Sequence, residues 1–243
     1  MSAARAGSRR NSEANAGAAG TAGSPKAVGT REATPASSIT ARIVEAVAER
    51  AHGGYPVRVL GLTGPPGTGK TTIAAELAEA LPRAGVAVAG MVPMDGFHMS
   101  NAVLAARGIA DHKGAPDTFD VGGYMALLGR VRRADSVVLA PDYRRDLHEP
   151  VAASLPVEVE GVVITEGNYL GLELPGWADV RGLIDLLVYI DTPFEELASR
   201  LIDRHVSYGR DRADAGHWVR TVDAANMALV ERTKERADLV LSL

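Results

Sequence analysis

Eight residues constrain this chain more than any others: Gly64-Pro65-Pro66-Gly67-Thr68-Gly69-Lys70-Thr71. They fit the pattern G-x-x-x-x-G-K-[ST]. The flanks fit as well. Val57 to Thr63 is an apolar run after Pro56 and predicts a strand. Thr71 to Leu81 carries Ile73, Leu77 and Leu81 at helical spacing, and Pro82 limits the helix. Glycines in such a loop let backbone N–H groups turn toward a phosphate with no Cβ in the way. The helix N-terminus adds unpaired donors and a favourable dipole. Pro65 and Pro66 have no N–H, so the donors come from Gly67 onward, within a phosphate-binding set of Gly64 to Thr72. A Gly-rich turn can match this pattern by chance, but the strand–loop–helix setting favours phosphate binding. Lys70 is then expected to reach the β- and γ-phosphates, and the Thr71 hydroxyl to ligate magnesium.

Composition narrows the classes. The 243 residues suffice for one α/β domain of about 200 residues plus a tail. A 46% hydrophobic content supports a sizeable core, and a net charge of −4 argues against a nucleic-acid or general polyanion partner. With no cysteine there is no disulfide, thiolate zinc site or cysteine nucleophile. No apolar run approaches a membrane span, and there is no apolar signal-peptide core, so a cytoplasmic protein with no membrane partner is expected. A homodimer is compatible with the sequence, which does not fix the oligomeric state. Residues 1–37 are rich in Ala, Gly, Ser, Thr and Pro and read as a disordered tail. Arg5, Arg9 and Arg10 hint at targeting, but Glu13 and Glu32 weigh against it. Residues 38–243 form the folded domain on this reading.

Within it, Ser38 opens a helix with Ile39, Ile43, Val47 and Ala51 on one side, ended by Gly53-Gly54. Strands are predicted at 86–92, 136–140, 162–165, 184–190 and 239–241, with a weaker one at 157–161. Helices are predicted at 102–107, 121–133 and 194–205, and a mainly helical stretch at 218–237. Strands alternating with helices imply a mostly parallel sheet covered on both faces, with functional loops at the carboxyl ends of its strands.

Asp95, beside Gly96, follows a buried strand. A carboxylate there could accept the proton of a hydroxyl aimed at a γ-phosphate; it could equally be an ordinary Asp-Gly turn residue. Glu166 ends another apolar strand, where it could hold magnesium or merely cap a helix. Arg200 and Arg204 share a helix face, and Arg210 and Arg212 follow. They could close over a transferring phosphoryl group or form a solvated face. The polar stretches Lys113 to Asp120 and Tyr143 to His148 suit a pocket for a small polar substrate. His98, His112 and His148 are not spaced as a zinc set.

These blocks together resemble the P-loop small-molecule kinases that include uridine kinase, type I pantothenate kinase and phosphoribulokinase. The resemblance rests on Gly64–Thr71, Asp95-Gly96-Phe97-His98 and Lys113-Gly114-Ala115-Pro116-Asp117-Thr118-Phe119-Asp120. It continues through Tyr143…His148, Ile164-Thr165-Glu166-Gly167-Asn168, Ile190-Asp191-Thr192-Pro193 and Thr233-Lys234-Glu235-Arg236-Ala237-Asp238. It implies a three-layer α/β/α P-loop fold with a small helical lid, and ATP and Mg²⁺ as cofactors. It implies Asp95 as catalytic base, and Arg204 as the lid arginine, with Arg200 and Arg210 beside the phosphates. On the substrate side it implies Tyr143, Arg145 and His148, and its other motifs add His98, Lys113 and Asn168. The chain departs from uridine kinases at Ala115, where they place His before Pro-Asp. It is shorter than type I pantothenate kinase between Arg204 and Thr233. The expected activity is transfer of a γ-phosphate to a hydroxyl of a nucleoside, pantothenate or sugar-like metabolite. The alternative is a nucleotide-dependent switch that transfers phosphate only to water, although Asn-Lys-x-Asp and Leu-Ser-Gly-Gly signatures are both missing.

Overall fold

A computed structural model of the chain describes residues 35–243. The expected tail lies outside these residues except for Pro35 to Ser37, which belong to the first helix. That helix, α1, spans Pro35–His52 and starts three residues before Ser38; proline's fixed φ suits a first helical turn. Strand β1 (Val59–Thr63) leads through the Gly-rich loop into α2 (Lys70–Arg83). Strand β2 (Val88–Pro93), α3 (Asn101–Arg107) and α4 (Val121–Arg133) follow. Then come β3 (Val138–Arg144), β4 (Glu149–Val157), β5 (Val162–Glu166) and β6 (Leu186–Asp191). Helices α5 (Phe194–Ser207), α6 (Arg212–Trp218) and α7 (Ala224–Glu231) precede β7 (Leu239–Ser242).

Five strands form one sheet in the order β2-β5-β1-β6-β7, every pair parallel. Their apolar runs are continuous because both faces are covered. Along β1, β5 and β6 the side chains alternate between two cores. Leu60, Leu62, Ile164 and Val188 pack with Ile39 and Ile43 of α1 and Ile73, Leu77 and Leu81 of α2. Val59, Val163, Leu187 and Tyr189 pack with Tyr124, Leu128 and Val131 of α4 and with Trp177 and Val180. The result is the expected three-layer α/β/α architecture. A third, small core of Leu197, Leu201, Val219 and Met227 joins α5 to the helices after it. No helix among the described residues is long and apolar enough to cross a membrane.

Three expectations need correction. The strand predicted at 136–140 runs on to Arg144, so Tyr143 lies inside it rather than in a loop beyond it. It pairs antiparallel with β4 in a separate two-stranded ribbon, outside the parallel sheet. The weak strand predicted at 157–161 is the tail end of β4, which stops at Val157. The helical stretch predicted from Trp218 begins at Arg212 and is broken by a π-helical turn at Val219–Asp223. Lid packing sets these breaks: Val219 and Met227 reach back to Leu197 and Leu201.

Candidate active site

The loop after β1 passes through left-handed backbone at Gly67 (φ 89°) and Gly69 (φ 81°), conformations that a side chain would strain. Thr68 Oγ1 donates to the Pro65 carbonyl at 3.0 Å and braces the turn. Lys70, the first residue of α2, folds back under the loop. Its Nζ donates to the carbonyls of Gly64 and Pro65, each at 2.9 Å. Only 7% of Lys70 is exposed. Burial lowers its pKa from 10.5 to about 8; Glu166 and Asp95 hold it up in part, and Arg204 pushes it down.

Glu166 ends β5, in register with Leu62 of β1 and Pro93 of β2. That register brings its carboxylate to the top of α2, where Thr71 Oγ1 donates to Glu166 Oε1 at 3.0 Å. Burial raises the Glu166 pKa, and nearby Asp95 raises it further, against Lys70, Thr71 and Arg145.

Asp95 sits in a 3₁₀ turn, Met94–Phe97, that follows β2. The turn is pressed against the ribbon: a Cβ on Gly96 would fall on the Pro141 carbonyl oxygen, inside van der Waals contact. His98 Nδ1 lies 2.8 Å from the Asp95 carbonyl, which can only accept, so Nδ1 carries the proton. The imidazole packs between Phe119 (4.0 Å between ring centres) and Tyr143 (4.9 Å). Burial lowers its pKa and so favours the neutral ring.

The Lys113–Asp120 segment is pinned from behind. Tyr169 Oη donates to the Gly114 carbonyl at 2.7 Å, Trp177 Nε1 to the Pro116 carbonyl at 3.0 Å, and Asp120 caps α4 through the Gly123 N–H at 2.9 Å. Lys113 Nζ donates to Asn101 Oδ1 (2.6 Å) and to the His148 carbonyl (2.7 Å). On the lid, Arg200 donates to the Gly67 carbonyl at 3.2 Å and pairs with Glu196. Arg210 lies 4.2 Å over the Trp218 ring. Arg212 pairs with Asp203 on a solvated face, away from the loop.

One cavity of about 430 Å³ brings most of the sequence candidates together. Its walls include Pro66, Gly67, Gly69, Lys70, Thr71 and Thr72 of the loop, Asp95 and His98 after β2, and Glu166 and Asn168 after β5. Arg145 of the ribbon and Arg200 and Arg204 of the lid close it. A neighbouring cavity of about 360 Å³ shares Asp95, His98, Arg145 and Arg204 and adds Lys113, Tyr143 and His148. Arg210 lines neither; it borders a third, with Arg204 and Asn168. Sequence reasoning missed Asn101 and Glu149. The Glu149 carboxylate accepts from the Asn101 N–H at 2.9 Å and so ties the ribbon to α3. The signal for Asn101 was its place just after Ser100, the cap of α3.

The parallel sheet, the loop between β1 and α2, and carboxylates facing its lysine define the P-loop class of phosphate-handling proteins. Residues 60–216 match the family described as an AAA domain. YggC of Escherichia coli K12, an uncharacterized protein, is 34% identical over 188 residues, covering 76% of this chain and 77% of YggC. C227.14 of Schizosaccharomyces pombe, proposed to be a uridine kinase, is 32% identical over 195 residues, 75% of this chain and 82% of that one. The crystal structure of a Silicibacter sp. TM1040 protein, proposed to be a fructose transport system kinase, superposes with a TM-score of 0.76 at 34% identity. It covers 83% of this chain and 98% of that one. The chain belongs to the AAA-domain family of P-loop proteins and is a small-molecule kinase of the uridine kinase-like type.

Proposed function

We propose that this kinase transfers the γ-phosphoryl group of ATP to a hydroxyl of a small metabolite, with Mg²⁺ as cofactor. The observation that carries the reading is the meeting of Lys70, Asp95, Glu166 and Arg204 around one cavity at the carboxyl ends of β1, β2 and β5. Loop N–H groups from Gly67 onward and the Lys70 ammonium hold the β- and γ-phosphates. Reaching them, Lys70 exchanges its bonds to the Gly64 and Pro65 carbonyls for phosphate oxygens. The Asp95 carboxylate orients the acceptor hydroxyl. The hydroxyl oxygen bonds to the γ-phosphorus as the bond from that phosphorus to the β–γ bridging oxygen breaks. ADP leaves with the electron pair, and the hydroxyl proton passes to Asp95 and then to water. Arg204 stabilises charge on the transferring group, and the lid excludes water.

The residues fit magnesium. Thr71 Oγ1 and Glu166 Oε1 are hard oxygen donors 3.0 Å apart. Among the described residues no group of three or more His, Cys, Asp or Glu is arranged to hold a metal. That suits an ion held by one or two protein oxygens together with nucleotide phosphates. When bound, it neutralises phosphate charge.

The test is ADP release with Mg-ATP, alone and with a panel of nucleosides, hydroxy acids and sugars, the product identified by mass spectrometry. Stimulation by an acceptor is expected. Release that no acceptor changes would sink the reading. Asp95→Asn should keep nucleotide binding and lose turnover by about 10²-fold or more; unchanged turnover would remove Asp95 from the mechanism.

A further inference from the structure

Two cationic groups near the acceptor side of Asp95, Arg144 and Lys113, are already satisfied. Arg144 forks onto Asp146 at 2.9 and 2.7 Å. Lys113 spends two donors on Asn101 and on the His148 carbonyl. Arg145, the residue after Arg144, makes no hydrogen bond or ion pair through its guanidinium among the described residues. Yet it lines three adjoining cavities, each of which also contains Asp95. It lies near enough to Glu166 and Tyr143 to favour ionisation of both.

The turn that carries it is held firmly. His148 adopts left-handed backbone (φ 53°), unusual for a residue with a side chain. Its carbonyl accepts from Lys113 Nζ at 2.7 Å and Asn101 Nδ2 at 3.2 Å, which fixes that conformation. The adjacent Glu149 carboxylate accepts from the Asn101 backbone N–H at 2.9 and 3.2 Å. The Arg144–Asp146 fork ties the other end. An arginine on an anchored turn, with its donors unspent and facing the reacting carboxylate, is a preorganised anion receptor. Lys113 and Arg204, in the same cavity, add positive charge. A neutral nucleoside or sugar has no charge to meet them.

We propose that the acceptor is an anion, a hydroxy acid or a hydroxylated phosphate monoester, whose carboxylate or phosphate is held by Arg145 while its hydroxyl meets Asp95. This rests on the kinase reading above and narrows it.

The test is calorimetric titration of the protein loaded with Mg²⁺ and a non-hydrolysable ATP analogue. The probes come in pairs that differ in charge: glycerate and glycerol, pantothenate and pantothenol, ribose 5-phosphate and ribose, with uridine as a further neutral probe. At least one acidic member should bind about tenfold or more tightly than its neutral partner. The Arg145→Met variant should lose that preference, and Arg145→Lys should recover part of it. The carboxylate and phosphate arms identify which anion is held. Binding of uridine or a neutral partner as tight as that of the acids, a preference unchanged in Arg145→Met, or no binding by any probe would overturn the inference while leaving the kinase reading standing. Failure of the Mg–nucleotide itself to bind would overturn the kinase reading and this inference with it.

Discussion

Replacing Lys70 by methionine removes a charge that the fold keeps out of water. A pKa lowered from 10.5 to about 8 by burial corresponds to about 3 kcal/mol lost to desolvation near neutrality. Methionine fills much of the same space without that cost. It also leaves the Gly64 and Pro65 carbonyls without the donor they now have, at about 1 kcal/mol each. The variant should therefore be about 1 kcal/mol more stable near neutrality, a rise of about 2–4 °C in midpoint for a chain of this size. The pH dependence is the sharper test. Below about 8 the amine is charged in both folded and unfolded chains, and the cost is constant. Between about 8 and 10.5 the unfolded chain keeps a proton that the folded chain has released, so wild-type stability rises with pH relative to the variant. Above 10.5 the cost has gone, and wild type should lead by about 2 kcal/mol. Urea unfolding of both proteins, near neutrality and at alkaline pH, reads this reversal of order. A stability difference that keeps its sign and size across that window would refute the reasoning. On the proposed mechanism, nucleotide binding should be lost in the variant throughout, the stability gained coming at the expense of function.

Glu166→Gln should raise the Mg²⁺ concentration needed for half-maximal ADP release by about tenfold or more. In wild type that requirement should grow as pH falls through the raised Glu166 pKa, because the protonated carboxyl no longer attracts the ion; the glutamine variant should lack this dependence. Parallel pH profiles for the two proteins would remove Glu166 from the metal site. Gly96→Ala puts a methyl group onto the Pro141 carbonyl, backbone against backbone. It should cost about 1–3 kcal/mol in urea unfolding and lower turnover as the Asp95 turn shifts; an unchanged midpoint and kcat would show that the turn has room.

The strand–loop–helix unit and the strand ends beside it were legible because their signals are local. The loop motif, the apolar run before it and the periodic helix after it each point the same way, and Asp95 and Glu166 follow apolar runs that can be read one at a time. Helix α4 has the expected bounds, Val121–Arg133, because its cap is the neighbouring Asp120. The ribbon was harder to read. Asp142, Tyr143 and Arg144 carry no apolar alternation, and the pairing of β3 with β4 slips register between Ala140 and Asp142, which no local pattern announces. The start of α6 had a usable signal that went unread: Asp211 accepts from the Ala213 N–H at 2.8 Å, as a helix cap does. Lys113 was read as a pocket residue, and its amine lies on Asn101 and the His148 carbonyl. The latter contact spans 35 residues of chain and depends on the fold rather than on spacing.

The separation of the β3–β4 ribbon from the parallel sheet has a consequence for how such a protein diversifies. The Gly-rich loop and Asp95 follow β1 and β2, and Glu166 ends β5, while residues 144–149 project from a two-stranded arm that shares no backbone ladder with these strands. Exchanging those six residues, with Gly96 and Pro141 left in contact, changes what the arm presents without disturbing a single strand pairing in the parallel sheet. On the proposed function, one engine can thus be fitted with different grips, and the residues to exchange first are those of the arm.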